Sequence, residues 1–289
     1  MATPQNPAAG IEKDANALRA QGIPFPEYFS ALAATYVKQT GNATRDAFAA
    51  SLPDITALVP ITSDSRIHDS AAGPATATSA LLKAVPKGLL GAESVLVTDN
   101  NPAMVAAARE AFPTIDVREM DSEGLEVPDG AFSHSILSFS IFNMGDPLKC
   151  IQEMRRTVKE GGVAAILTWR RFGAGEVIAA AQRMVRPALP AMAIPHKEFM
   201  DEGVLEELVV KSGFDKAKVA VKSEKHVVMG ENLAGVREFC LGDHSKPARS
   251  GWSQEEAARW PEVVDRAFQA EVEAHGGVLF EYWVILAKK

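Results

Sequence analysis

Three aspartates, Asp69, Asp99 and Asp121, each close or follow a short apolar run, and small residues at Ala71, Ala72, Gly73 and Ala75 come directly after the first. Small side chains let a backbone approach a ligand closely, and a helix N-terminus beyond such a loop offers unpaired amides. A carboxylate in the place of Asp99 can accept hydrogen bonds from both hydroxyls of a ribose. Asp121 stands where it could reach an adenine amino group. The plainer readings stay open residue by residue: an ordinary strand-to-helix turn, a helix cap at Asp99 and a solvated turn at Asp121. Asp69 is harder to explain that way. The dinucleotide fingerprint G-x-G-x-x-G is absent, and a pyrophosphate at this loop would face the Asp69 carboxylate, which is repulsive. A cofactor with a sulfonium and an ammonium group would be attracted.

Positioning those acids requires a regular scaffold. From residue 66 onward, short apolar runs alternate with helical stretches, which is the pattern of a parallel sheet with crossover helices. Strands are expected at residues 66–70, 94–98, 115–120, 134–140 and 163–169. Pro102 follows an Asn100-Asn101 cap, and Asp146-Pro147 opens a helix with Leu148, Ile151, Met154 and Val158 on one face. Gly161-Gly162 is read as closing that helix. Upstream, helical spacing at 26–40 and 44–51 predicts helices, the first opened by Pro26, and the first ten residues read as a tail. Beyond residue 170 a helix runs into a proline-interrupted segment. A helix near 201–212, a strand near 216–229, helices near 232–240 and 254–274 and a last strand at 278–287 complete the chain. The resulting domain expectation is an N-terminal helical cap over 1–60 and a sheet domain over 61–289, with lid insertions at about 171–200 and 231–275.

Composition narrows the partners. The chain has 289 residues, 47% hydrophobic and 23% charged, as in ordinary globular proteins. Its formal charge is -7, with no block of Lys or Arg, which argues against a nucleic-acid backbone as partner and for a small molecule. The two cysteines, Cys150 and Cys240, provide neither a disulfide framework nor a metal-ligand spacing, so no metal is expected. No apolar run approaches a membrane span, and the first residues lack a secretory pattern, so a cytoplasmic location is expected.

The stretch Asp69-Ser-Ala71-Ala-Gly73-Pro-Ala75, with Asp99 and Asp121-Ser122, resembles class I S-adenosylmethionine (SAM) dependent methyltransferases. The loop looks like the family's D-x-G-x-G-x-G motif, Asp99 like its ribose acid and Asp121-Ser122 like its adenine-contacting pair. FSHSILSFSIFNMGDP and EMRRTVKEGGVAAILTW are similar to its following segments. The stretches TGNATRD, ITSDSRIHDSAAGPAT and FSHSILSFSIFNMGDPLKCIQEMRRTVKEGGVAAILTW bring a narrower likeness to small-molecule methyltransferases of fungal secondary metabolism. Ala71 and Ala75 depart from it, standing where the family often has glycine. The resemblance implies a Rossmann-like α/β fold, a doubly wound seven-stranded sheet with an antiparallel last strand. It implies SAM as cofactor, held by Asp69, Ala71, Gly73, Asp99, Asn100, Met104, Asp121, Ser122 and Ser138. It also implies an acceptor pocket to which Phe29, Tyr36, Phe139, Phe142 and Trp169 could contribute, each of which could equally be core.

Methyl transfer is a direct displacement, so alignment can supply much of the rate and a base is optional. If a phenol or hydroxyl is the acceptor, His196, His226 and His244 are the residues that could deprotonate it. His68, beside Asp69, reads as structural. The leading expectation is methyl transfer to oxygen, nitrogen or sulfur of a small natural product. The alternative is a protein of the same fold without methyl transfer, acting as a cyclase or a regulatory partner. A nicotinamide-dependent reductase fits less well, because of the loop spacing and the last strand.

Overall fold

Strand β1, Ile67–Ser70, is buried at every position, and so is β2, Val95–Asp99. Residues without an exposed face suit the inside of a parallel sheet covered on both sides. The computed structural model describes residues 25–40 and 42–289, and the expected tail at residues 1–10 lies outside them. In it, β1 pairs in parallel with both β2 and β4 (Phe132–Ser138), β2 with β3 (Asp116–Glu119), and β4 with β5 (Val158–Arg171). The seven strands follow the order β3-β2-β1-β4-β5-β7-β6, where β6 is Val219–Val228 and β7 is Val278–Lys288. The Gly161 N–H donates to Lys289 O at 3.1 Å and the Lys289 N–H to Gly162 O at 3.0 Å, so β7 runs antiparallel to β5. This is the Rossmann-like sheet that was expected. Its strand order reverses between β1 and β4, and ligands of open α/β sheets bind beyond the carboxyl ends at such a reversal.

The helices in chain order are α1 Phe25–Leu32, α2 Tyr36–Gln39, α3 Ala43–Leu58, α4 Thr76–Ala84, α5 Pro102–Ala111, α6 Pro147–Thr157, α7 Gly173–Val185, α8 Val204–Lys211, α9 Leu233–Leu241, α10 Gln254–Ala258 and α11 Trp260–His275. Two begin as their sequences require. Asn101 accepts from the Ala103 and Met104 amides ahead of α5, and Asp146 from the Lys149 amide ahead of α6, each with proline at the first helical position. The buried face of α6 is Cys150, Ile151 and Met154. Other expectations need correction. The regions read as single helices at 26–40 and 254–274 are each broken in two, into α1 and α2 and into α10 and α11. Gly161 and Gly162 do not close α6, which ends at Thr157. They lie inside β5, where Gly161 takes a φ of 76° and the register with β4 shifts between Phe132 and His134. A left-handed glycine is a common device for such a bulge.

The chain divides into two compact units. One comprises residues up to 43, 171–195 and 225–281, and the other 44–170, 196–224 and 282–289. Residues 44–60 thus group with the sheet unit. In the first unit the α9 backbone meets α2 so closely at Gly235 that a Cβ there would lie 1.9 Å from Lys38 O, which only glycine allows. Trp260 is buried in the same unit and donates to Cys240 O at 3.2 Å, while Arg171 pairs with Glu271 at 2.7 Å. No helix among the described residues is long and apolar enough to cross a membrane.

In the sheet unit, Arg156 on α6 fastens the loop after β3. It donates to Leu125 O at 2.8 Å, Val127 O at 2.9 Å and Asp129 at 2.7 Å, while Glu153 holds its other edge. Glu153 in turn accepts from the Leu125 amide at 2.8 Å. Arg156→Ala is expected to lower the unfolding free energy by about 1 to 3 kcal/mol, since two carbonyls and two carboxylates lose their donor. Urea denaturation checks this, and an unchanged midpoint would show the network to be idle.

Candidate active site

The loop after β1 turns tightly because Ala71, Gly73 and Ala75 all take left-handed φ values, of 46°, 56° and 60°. For alanine that conformation costs about 1 to 2 kcal/mol, so other interactions must hold it. The Ala72 amide donates to Thr98 O at 3.0 Å and the Ala75 amide to Ala72 O at 3.0 Å. The Gly73 amide donates to Asp99 Oδ2 at 2.8 Å. Asp99 Oδ1 accepts from the Asn101 amide at 2.9 Å. One carboxylate therefore ties the loop after β1 to the turn after β2.

Asp69 is 1% exposed. Its Oδ2 accepts from the Thr78 amide at 3.0 Å and from Thr78 Oγ1 at 2.6 Å, whereas Oδ1 has no hydrogen-bond partner among the described residues. Burial pushes this carboxyl up from its ordinary value of 3.8 to about 6, the Thr78 bonds pull it down, and the nearby Asp99 charge pushes it up further. Burial raises Asp99 as well, against the bonds from Asn101 and Gly73. Asp121 is exposed, with Oδ1 accepting from the Glu123 amide at 2.9 Å, and Ser122 is buried with its hydroxyl 2.8 Å from that of Ser70. Asn100 is exposed. Met104 is buried on α5, and its sulfur lies 3.8 Å from where a Cβ on Gly73 would stand. Ser138 ends β4 with a buried hydroxyl that has no partner among the described residues.

Beyond Ser138, Phe139 is left-handed at φ 57°, and its amide donates to Leu167 O at 2.8 Å. Its ring stacks on Trp169 at 3.9 Å and meets Tyr282 edge-on at 5.8 Å. Phe142 is buried in the short turn that follows. The nine residues from Asp69 to Ser138 expected to hold a cofactor and the three aromatics Phe139, Phe142 and Trp169 all belong to the sheet unit, whereas Phe29 and Tyr36 belong to the other.

Residues 67–162 match the family profile described as a methyltransferase domain. A ubiquinone/menaquinone biosynthesis C-methyltransferase of Hydrogenovibrio crunogenus is 25% identical over 183 residues, covering 56% of this chain and 70% of the relative. A mitochondrial 2-methoxy-6-polyprenyl-1,4-benzoquinol methylase of Leishmania donovani is 37% identical over 92 residues, covering 30% of this chain and 32% of that one. A solved structure described as a methyltransferase from an antibiotic biosynthesis pathway of Anabaena variabilis has the same fold. Its TM-score is 0.51 at 16% identity, with 82% of this chain and 97% of that one covered. Residues 67–162 form a SAM-dependent methyltransferase domain.

The residues of this methyltransferase domain fit SAM. Asp69 Oδ1 is a buried acceptor without a partner among the described residues, which suits a cation. Asp99 has spent one bond per oxygen, and a carboxylate has about four acceptor sites, so room for two hydroxyls remains. A side chain on Gly73 would fill the space before Met104.

The histidines are placed differently. His196, in the sheet unit, has Nδ1 3.1 Å from Glu198 and Nε2 3.2 Å from Met144 O. His226 and His244 belong to the other unit. His226 is half-buried on β6. His244 stacks on Phe239 at 4.7 Å with Nε2 2.8 Å from Gln39 Oε1, and burial pushes it down to about 4, so it is neutral at pH 7. His68 bonds Thr98 Oγ1 at 2.9 Å and stacks on Phe132, with burial holding it down to about 3.

Sequence reading missed three groups here. Ser70 and Thr78 flank the loop and bond Ser122 and Asp69. Ser140 keeps a buried hydroxyl without a partner among the described residues. A threonine in the first turn of the helix after an acid was a visible signal, but nothing marked Ser140.

The raised Asp69 carboxyl has a definite sign. The folded protein holds this proton up to about pH 6, while an unfolded chain releases it near the ordinary 3.8, so stability falls as pH rises through that window. Asp69→Asn in the cofactor-free protein is therefore expected to raise the unfolding free energy at pH 7, by at most about 3 kcal/mol, with the gain vanishing near pH 4. Denaturant titrations at both pH values test it. An equal loss of stability at both would show that the buried charge carries no penalty.

Proposed function

We propose that the chain transfers the methyl group of SAM to an oxygen, nitrogen or sulfur of a small natural-product acceptor, as methyltransferases of fungal secondary metabolism do, in the cytoplasm. The observation that carries the cofactor assignment is the pair of buried carboxylates, Asp69 and Asp99, at neighbouring strand ends. That pair repels a pyrophosphate and attracts a cation. The name of the Hydrogenovibrio crunogenus relative specifies carbon as its methyl acceptor, so a carbon nucleophile stands beside the three heteroatoms.

SAM supplies an electrophilic methyl group on a sulfonium. Asp99 holds the ribose hydroxyls while keeping the Gly73 loop closed, Asp69 faces the charged methionine end, and Asp121 with Ser122 receives the adenine edge. Ala71, Asn100, Met104 and Ser138 complete the cofactor's surroundings. The Phe139–Trp169 stack, with Phe142, forms an apolar wall that excludes water from the reacting atoms. Acceptor selection falls to residues outside the matched domain, among them Phe29 and Tyr36 and the segments at 171–200 and 231–275. No histidine base is assigned, because both ring nitrogens of His196 lie within hydrogen-bond distance of Glu198 and Met144 O, and Nε2 of His244 is bonded to Gln39. Alignment carries the rate, which displacement at an exposed methyl permits.

Calorimetry with SAM and with NADPH discriminates the cofactor classes, with micromolar SAM binding expected and tighter NADPH binding contradicting the reading. Asp99→Ala is expected to weaken SAM binding by about 1 to 3 kcal/mol through loss of charge-assisted bonds. Mass spectrometry of candidate metabolites incubated with the protein and SAM reads the acceptor. With an acceptor in hand, His196→Asn and His244→Asn should keep kcat within a few-fold. A drop of about a hundredfold or more would restore a histidine base.

A further inference from the structure

We propose that in mildly acidic solution Asp69 couples cofactor binding to proton release: there the cofactor-free protein carries a proton on Asp69 Oδ1, and arrival of the cationic end of SAM displaces it to solvent. This rests on the SAM reading above and adds a property of the protein's own carboxyl.

Among the described residues, every hydrogen-bond donor to the two buried acids is neutral. Asp69 receives the amide and hydroxyl of Thr78, and Asp99 the amides of Gly73 and Asn101. Both Thr78 donors go to Oδ2 of Asp69, leaving Oδ1 buried and without a hydrogen-bond partner among the described residues. β2 brings the like charge of Asp99, which acts on Asp69 through space. α4 contributes only the neutral Thr78. On β4 the residue in register is Ile136. On β1 itself, His68 is bonded to Thr98 and held neutral by burial. Without a ligand the least costly way to keep Oδ1 in this position is to protonate it, which removes the repulsion from Asp99 and the desolvation of a second anion. A sulfonium or ammonium beside it reverses the balance, because the cation favours the ionised form. Burial already places the cofactor-free carboxyl near pH 6, within reach of solution experiments.

The affinity for SAM should thus be flat above about pH 7 and fall by up to about tenfold per pH unit below pH 6. Proton release is read directly by calorimetry of SAM binding at pH 5.5 in phosphate and in imidazole, whose ionisation heats differ. More than about half a proton released per SAM bound is expected. S-adenosylhomocysteine, which keeps the ammonium but lacks the sulfonium charge, is titrated in parallel. Release with both assigns the ammonium as the displacing cation, and release with SAM alone assigns the sulfonium. Asp69→Asn should bind SAM without release. Thr78→Val, which removes the 2.6 Å hydroxyl bond and leaves the carboxyl in place, should move the release to higher pH. Binding of SAM with equal heats in the two buffers overturns the coupling while leaving SAM binding intact. Release that persists undiminished in Asp69→Asn also overturns it, whereas no SAM binding at any pH would instead overturn the underlying cofactor reading.

Discussion

The hydrogen bond from the Gly73 amide to Asp99 Oδ2 joins two otherwise separate pieces of chain, the loop after β1 and the turn after β2. Both pieces are costly alone. The loop holds two alanines in the left-handed region, and the turn ends in a carboxylate that is largely withdrawn from water. Together each satisfies the other: the buried charge gains a donor and the strained amide gains a strong acceptor. The parallel register of β1 with β2, which sets Asp69 beside Val97 and leaves Asp99 two residues further along, makes the bond geometrically possible. Because the sheet interior is dry, the charges at its edge act at a low effective dielectric, and the site's electrostatics follow from that edge.

Much of this edge was legible in the sequence because it is written in local rules. Asn101-Pro102 and Asp146-Pro147 begin helices through bonds that span two or three residues. Alternation of apolar runs and helical periods gave the strands, since a parallel sheet needs both. What failed to show involved pairing rather than pattern. β5 starts at Val158, five residues earlier than its apolar run suggests, because Phe132 pairs with Val158 before the bulge at Gly161 resets the register. A helix ending at Thr157 and a strand beginning at once leave no turn residues to read, and the two glycines looked like a cap for want of that pairing partner. The bonds of Asp99 to Gly73 and of Asp69 to Thr78 link residues 26 and 9 positions apart, so the sequence could name the acids but not say which of their oxygens stay free.

The division into two units sharpens where function resides. The residues proposed to hold the cofactor all fall in the sheet unit, whose strand ends carry carboxyls and hydroxyls. The other unit has a different character. There Phe172 meets Phe239 and Phe280 at 5.9 Å, and Phe239 carries His244 stacked on its face. Burial keeps that imidazole neutral, and its Nε2 is engaged by Gln39, so it does not act as a charged group there. A fold shared with other methyltransferases does not by itself specify an acceptor.

Phe139 shows how the sheet edge can serve two ends at once. An aromatic residue in the left-handed region is strained by roughly 1 to 3 kcal/mol, and such strain persists only where the surroundings over-determine it. Here they do: its amide is fixed by Leu167 O, its ring lies on Trp169, and Tyr282 closes the edge, itself bonded to Ala47 O at 3.3 Å. Had Phe139 stayed extended, β4 would continue straight and its ring would alternate to the other face of the sheet from Ser138. The left-handed turn breaks that alternation, and the ring packs on Trp169 and Tyr282. Ser138 and Ser140 on either side are left with buried hydroxyls that no described residue satisfies. An unmet buried hydroxyl costs about 1 to 3 kcal/mol, so the turn carries the cost of the two hydroxyls as well as its own strain.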